Sequence, residues 1–363
     1  PNSTRTSTRE RPVRYEIRVE GTVDQSWSAW FDGMQITNEP DDGTTIAGEV
    51  TDQAALHGLL ARVRDLGLAV ISVTRVEREQ PGGTMNTNIN DEKTTLVTGA
   101  TGKTGRRVVE RLRARGLPVR IGSRAAEPPF DWYDPTTWDQ ALEGVDAVYI
   151  SYWPDLAVPG AVEATSSFAK LAVDKGIRRL VLLAGRGEAE AERAEQAVAE
   201  SGADLTIVRS TWFMQNFSEG DFLGQVLSGE VTLPASDMVE PFVDADDIAD
   251  VAVAALTEDG HVGELYELTG PRLLSFAEAI KEIAEATGRT IRYAPVSVEE
   301  FAGAMAAQNV PPEAIEIFSF LFGEILDGRN AHLTDGVQRA LGRQPRDFRD
   351  FVRDAAAAGA WNN

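Results

Sequence analysis

The stretch Thr94-Thr95-Leu96-Val97-Thr98-Gly99-Ala100-Thr101-Gly102-Lys103-Thr104-Gly105 limits what this chain can fold into more than any other. Leu96 and Val97 lie in a short apolar run suited to a strand buried on both faces. Gly99, Gly102 and Gly105 follow at three-residue spacing, and Val108, Val109 and Leu112 then recur at helical spacing. Strand, glycine turn and helix in that order bring a helix N-terminus, with its free N–H groups and positive dipole end, to the C-terminal edge of a sheet. Glycine in the turn lets a pyrophosphate approach the backbone, and a second strand expected over 117–122 stands where a βαβ unit needs it. A glycine-rich βα turn with no ligand is the alternative.

From Lys93 onward strand and helix patterns alternate, which predicts an α/β fold: a doubly wound parallel sheet with helices on both faces. Strands are expected over 145–151, 179–183, 204–208 and 266–268. Helices are expected over 162–175, 188–201, 246–256 and 275–287, the last opening with Ser275 and Glu278 at capping-box spacing. The stretch 298–326 carries Phe301, Ile315, Phe318, Phe320, Leu321 and Phe322, enough apolar bulk for one or two more helices.

The chain ahead of this reads differently. Residues 1–12 are polar and expected to form a flexible tail. Residues 13–78 read as a small α+β domain: a strand over 13–20, strands over 34–38 and 44–50 joined by Glu39-Pro40-Asp41-Asp42-Gly43, an amphipathic helix over 52–66 and a strand over 68–76. Trp27 and Trp30 read as its core rather than as a ligand platform. Residues 79–92, with Pro81-Gly82-Gly83, read as a linker, and Met85 as the start of a once separate protein. The nucleotide-binding domain would be 93–363, with a small C-terminal substrate lobe from about 260.

Composition excludes several function classes. Among 363 residues there is no cysteine, so disulfides and thiolate metal sites are out, and His57, His261 and His332 lack metal-ligand spacing. No apolar run reaches the roughly 18 residues of a membrane helix. A net charge of −22 opposes non-specific nucleic-acid binding, which needs basic groups against phosphate. The polar N-terminus has no signal-peptide core, and a cytoplasmic protein is expected, with no metal, membrane or nucleic-acid partner.

Several strand ends could carry chemistry. The strand over 117–122 ends in Ser123-Arg124, where dinucleotide folds that select NAD place an acid for the ribose 2′-OH and an arginine accommodates the 2′-phosphate of NADP. NADP(H) is therefore expected in preference to NAD(H). Asp131 could reach the adenine, and reads equally well as a turn cap. Ser151-Tyr152-Trp153-Pro154 and Ala184-Gly185-Arg186-Gly187 follow the next strands and should face the nicotinamide, with Ser151 and Ala184 against the cofactor. Trp212, Phe213, Met214 and Asn216 could wall the substrate side.

Gly99-Ala100-Thr101-Gly102-Lys103-Thr104-Gly105 resembles the glycine motif of atypical short-chain dehydrogenases, specifically the NmrA-like group. The resemblance continues through Ala141-Leu142-Glu143-Gly144-Val145-Asp146-Ala147-Val148, Thr206-Ile207-Val208-Arg209, Phe213-Met214-Gln215-Asn216 and Pro241-Phe242-Val243-Asp244-Ala245-Asp246-Asp247-Ile248-Ala249. It spans about 270 residues, from Lys93 onward, and leaves the N-terminal module unrecognised. It implies a Rossmann-like domain, a small substrate lobe and NAD(P) binding, with Gly99, Thr101, Gly102, Thr104 and Gly105 at the pyrophosphate and Ser123 and Arg124 at the 2′-phosphate. The group includes quinone reductases, iminium-reducing alkaloid enzymes and redox-sensing regulators that bind NADP without turnover.

One departure bears on mechanism. Ordinary short-chain dehydrogenases use a Tyr-x-x-x-Lys pair, yet Val19, Thr137, Trp153, Leu156, Gly270 and Ser297 stand four residues after the six tyrosines. Tyr152 is then the candidate proton donor, with Trp153, Trp212, Phe213 and Asn216 as pocket residues. The expected activity is NADP(H)-dependent hydride transfer to a small-molecule acceptor that is already activated, of quinone or iminium type. The alternative is a non-catalytic NADP(H) sensor acting through protein contacts. A homodimer or a protein contact through the N-terminal module is the expected partner role.

Overall fold

The computed structural model describes residues 93–362 and, before them, 13–20, 23, 28, 31, 34–38, 43–50, 59, 62, 63, 68 and 70–76. The expected tail 1–12, the turn 39–42, the linker 79–92, Trp27 and Trp30 lie outside the described residues, as does most of the helix expected over 52–66. The chain divides into two compact units, 1–88 and 89–363.

In the first unit β1 (Val13–Glu20), β2 (Gln35–Asn38), β3 (Gly43–Val50) and β4 (Val70–Val76) form one antiparallel sheet in the order β2-β3-β1-β4. Strand alternation turns Ile17 and Val19 to one face, where they pack with Ile46, Phe31, Leu59 and Val63. Leu59 and Val63 are helical and four residues apart, one turn of the same face.

The second unit opens with β5 (Thr95–Thr98), β6 (Val119–Gly122), β7 (Ala147–Ile150), β8 (Arg179–Gly185) and β9 (Asp204–Ser210). It continues with β10 (Glu230–Leu233), β11 (Val239–Glu240), β12 (Leu265–Leu268), β13 (Leu274–Ser275) and β14 (Arg292–Pro295). Six of these form a parallel sheet ordered β12-β9-β8-β7-β5-β6. This is a Rossmann-like doubly wound fold. Strand order reverses between β5 and β7, which opens the crevice where such sheets bind ligands.

Alternation along the central strands sends side chains to two cores. Leu96, Val148, Ile150, Leu180 and Leu182 meet the helices Ala161–Asp174 and Ala189–Ala199 on one face. Val97, Tyr149, Val181 and Val208 meet the helices Lys103–Ala114 and Ala245–Thr257 on the other. The two latter helices are also tied by charge. Arg111 reaches Asp246 at 2.6 Å and Asp250 at 2.5 Å. Asp247, with its side chain 0% exposed, pairs with Arg343 at 2.8 Å and with Arg346.

The lobe does not follow the boundary expected near residue 260. Its aromatic core takes Phe217, Phe222 and Phe242 from before that point and joins them to Phe276, Phe322 and Phe348. Conversely, β12 completes the main sheet, and Val337 packs in the core of that sheet. The chain crosses between sheet and lobe several times, so one cut cannot separate them. Ser275 caps the helix Phe276–Thr287 with the capping box its spacing predicted. The stretch 298–326 becomes the helices Val298–Ala307 and Pro312–Phe320, and a π-turn, Leu321–Ile325, continues the second. Among the described residues no helix is long and apolar enough to cross a membrane.

Candidate functional site

β5 ends at Thr98 and the chain turns at Gly99, whose φ of +61° belongs to the left-handed region that favours glycine. Gly102 N–H donates to Gly99 O at 2.9 Å, closing the turn. The helix Lys103–Ala114 then starts with Gly102 at its N-cap and no side chain capping its amides. Open N–H groups at a helix start suit an anion. Thr98 Oγ1 accepts from Ser151 N–H at 2.9 Å and pins the ends of β5 and β7 on either side of the crevice.

A cavity of about 1050 Å³ opens there. Gly99, Thr101, Gly102, Thr104, Ser123, Arg124, Asp131, Ser151 and Ala184 line it, as do Tyr152, Trp153, Trp212, Phe213 and Asn216. Two expected residues do not. A Cβ on Gly105 would sit 2.1 Å from Gly99 O and 2.9 Å from Ala100 Cα, so this glycine packs the helix against the turn and does not face the cavity. Met214 is 1% exposed in the lobe core, because the 3₁₀ turn Met214–Phe217 points it inward.

The cavity has a charged end and an aromatic end. Arg124 is exposed beyond β6 and, among the described residues, forms no ion pair. Lys103 also lines the cavity, with Nζ 3.6 Å from Asp221; sequence reasoning left it among the motif residues without a role. Asp131 Oδ1 accepts from Tyr133 N–H at 3.0 Å, the geometry of a turn cap. At the other end Trp132 donates Nε1–H to Ser151 O at 3.1 Å and its ring holds Tyr152, centroids 5.1 Å apart. Trp153 is 62% exposed at the rim. Trp212 packs against Phe322 with ring centroids 4.9 Å apart and planes tilted by 36°, and Ile317 and Phe318 also line the cavity. Burial, and then Tyr133, raise the Tyr152 pKa, so this phenol is a weaker acid than a free one.

A pair of acids also lines the cavity. Glu188, expected at the start of the helix over 188–201, lies just ahead of the helix Ala189–Ala199 and is only 5% exposed. Both Glu188 and Asp155 line the cavity, and each carboxyl acts on the other's protonation. Burial, then Asp155, push the Glu188 carboxyl up to about 9, and burial raises Asp155 as well. Two carboxyls in one desolvated place cannot both ionise cheaply, which favours keeping one of them protonated. The signal for Glu188 was its place three residues beyond the strand-end Gly185. Among the described residues no acidic or histidine cluster is arranged for a metal.

A family described as NAD(P)H-binding matches residues 99–259, and one described only as a domain of unknown function matches 14–74. An NAD(P)H azoreductase of Xenophilus azovorans is 32% identical over 286 residues, covering 72% of this chain and 98% of the relative. An agroclavine dehydrogenase of Claviceps fusiformis is 30% identical over 284 residues, 72% of this chain and 96% of the relative. The solved NADPH-dependent quinone oxidoreductase of Escherichia coli in complex with NADPH superposes with a TM-score of 0.60 at 19% identity, over 72% of this chain and 99% of that one; that likeness is one of fold. The chain belongs to the NmrA-like, NAD(P)H-binding family of atypical short-chain dehydrogenases and reductases. It binds NAD(P)H and is an oxidoreductase.

Proposed function

We propose that the protein is an NADPH-dependent reductase of acceptors that are already activated, quinones or iminium ions. The observation that carries this reading is the single cavity at the β5–β7 crevice. It joins an uncapped helix start and Arg124, which forms no ion pair among the described residues, to an aromatic chamber. Gly99, Thr101, Gly102 and Thr104, with Lys103, would hold the pyrophosphate, and Ser123 and Arg124 the 2′-phosphate that NADPH carries and NADH lacks. Bound NADPH supplies the hydride. Tyr152, Trp153, Trp212, Phe213 and Asn216 would present a flat acceptor to it and exclude water. No lysine beside Tyr152 lowers its pKa, so unactivated ketones and secondary alcohols should be poor substrates. The relatives' azo, clavine and quinone names support the same substrate range, and the cysteine-free, acidic chain supports a cytoplasmic setting.

NADPH oxidation against quinones, iminium compounds, ketones and alcohols tests the reading. Turnover confined to the first two classes is expected. Vigorous alcohol oxidation abolished by Tyr152→Phe would overturn it. Tight NADPH binding with no turnover on any acceptor would mark a non-catalytic sensor, with the N-terminal module as its contact surface.

A further inference from the structure

The ends of β7, β8 and β9 bring three polar side chains to one wall of the cavity. Asp155 follows β7, Glu188 follows β8, and Ser210 closes β9. Gly185 makes room for the acid. A Cβ at that position would fall 2.1 Å from Glu188 Oε1 and 2.4 Å from Oε2, so the carboxyl lies against the bare backbone of the strand end. Among the described residues, Glu188 Oε2 and Ser210 Oγ are both buried with no hydrogen-bond partner. Gly185 and Ser210 are register neighbours across the β8–β9 pair. Unpartnered buried polar atoms are rare and need an explanation. Two of them at adjacent strand ends mark a wall of the cavity, near Tyr152, whose hydrogen bonds the described residues leave incomplete.

We propose that the Glu188–Asp155 pair is the proton donor of the reduction and takes the part that the missing Tyr-x-x-x-Lys pair plays in ordinary short-chain dehydrogenases. The proposal rests on the reading that a hydride acceptor occupies this cavity. As a quinone takes up hydride, one of its oxygens becomes anionic. The Glu188 O–H bond breaks, its proton joins that oxygen, and the product is the hydroquinone. Glu188 and Asp155 are then two adjacent carboxylates, and their repulsion draws one proton back from water. Besides Asp155, the charged group facing Glu188 is Glu195 of the helix Ala189–Ala199, which Arg209 of β9 neutralises. An iminium ion becomes a neutral amine on hydride uptake and takes no proton, so it serves as an internal control.

The test compares wild type, Glu188→Gln and Gly185→Ala. Infrared spectroscopy of the protein without ligand should show a protonated carboxyl at neutral pH that Glu188→Gln removes. With a quinone, Glu188→Gln should lower kcat at least about tenfold, the low side of the roughly 10²–10⁴-fold typical of a positioned acid because a quinone spreads the arriving charge. Iminium reduction and NADPH affinity should stay within about twofold, and Tyr152→Phe should cost less than about tenfold with either acceptor. Gly185→Ala displaces the carboxyl without deleting it and should also lower kcat with a quinone at least about tenfold. Absence of the carboxyl band from wild type, or equal losses on both acceptors, would overturn the proposal while leaving the reductase reading intact. A wild type that turns over NADPH with neither class of acceptor would overturn both.

Discussion

Gly105→Ala tests how closely the first helix must approach the phosphate turn. The added Cβ would lie 2.1 Å from Gly99 O, 2.7 Å from Gly99 C and 2.9 Å from Ala100 Cα. Ordinary contact begins near 3.4 Å, so helix and turn must separate by more than an ångström. All three contacts are backbone, and no rotamer change can relieve them. Overpacking of this kind costs about 1–3 kcal/mol. A domain this large loses about 2–4 °C in Tm per kcal/mol, so a fall of about 2–12 °C is expected by calorimetry. The strain falls on the turn that would face the pyrophosphate, so the Kd for NADPH should rise at least about tenfold, or 1.4 kcal/mol, by titration calorimetry. Gly116→Ala is the control. Its φ of +74° makes alanine costly by about 1–2 kcal/mol, but no atom lies within 4 Å of the new Cβ, and NADPH affinity should not change. A Gly105→Ala protein with the wild-type Tm and NADPH affinity would refute the packing argument.

Arg124→Ala should weaken NADPH about ten- to a hundredfold, the loss of a hydrogen-bonded charge pair worth about 1.5–3 kcal/mol, and leave NADH unchanged; equal affinity of the wild type for the two cofactors would refute it. The Glu188 carboxyl ionises near 4.5 in the unfolded chain and at about 9 when folded. Between those values the folded state holds the extra proton, so stability falls as pH rises through the window. The fall in Tm with pH should be shallower in Glu188→Gln, and identical slopes would contradict the assignment. A fragment comprising residues 85–363 is expected to fold and bind NADPH, because the cofactor cavity is lined wholly from within it; an insoluble or cofactor-blind fragment would show that the first unit is required.

The parallel sheet was legible because buried strands and amphipathic helices carry different periods, and the glycine turn marked where they meet. Ser123, Arg124, Ser151 and Ala184 followed from a geometric rule, that ligands sit at strand C-terminal ends. Glu188 escaped the same rule because a glutamate among Glu190, Glu192 and Arg193 has the pattern of a solvated helix face, and nothing local reveals that Gly185 leaves a hollow beside it. Gly105 was placed against phosphate since spacing alone cannot tell a glycine that faces a ligand from one that faces backbone. The lobe was the least readable part. Its Phe217, Phe242, Phe276 and Phe348 come from four separate segments whose meeting no period announces.

The ion pairs between the helices Lys103–Ala114 and Ala245–Thr257 also order events during synthesis. Arg111 is made early, but its partners Asp246 and Asp250 lie 135 and 139 residues further on. Asp247 in turn waits 99 residues for the backbone N–H of Arg346. Arg186, at the end of β8, finds the Asn330 carbonyl 144 residues later. Contacts so distant in sequence slow folding, because loop closure precedes any reward. The glycine turn after β5 therefore leaves the ribosome long before the residues that lock its helix. A chain halted short of Arg343 would lack both arginines and the backbone N–H that hold the Asp247 carboxylate in the folded protein. Such a nascent chain would contain every residue of the phosphate turn and still lack a stable place to bind the cofactor.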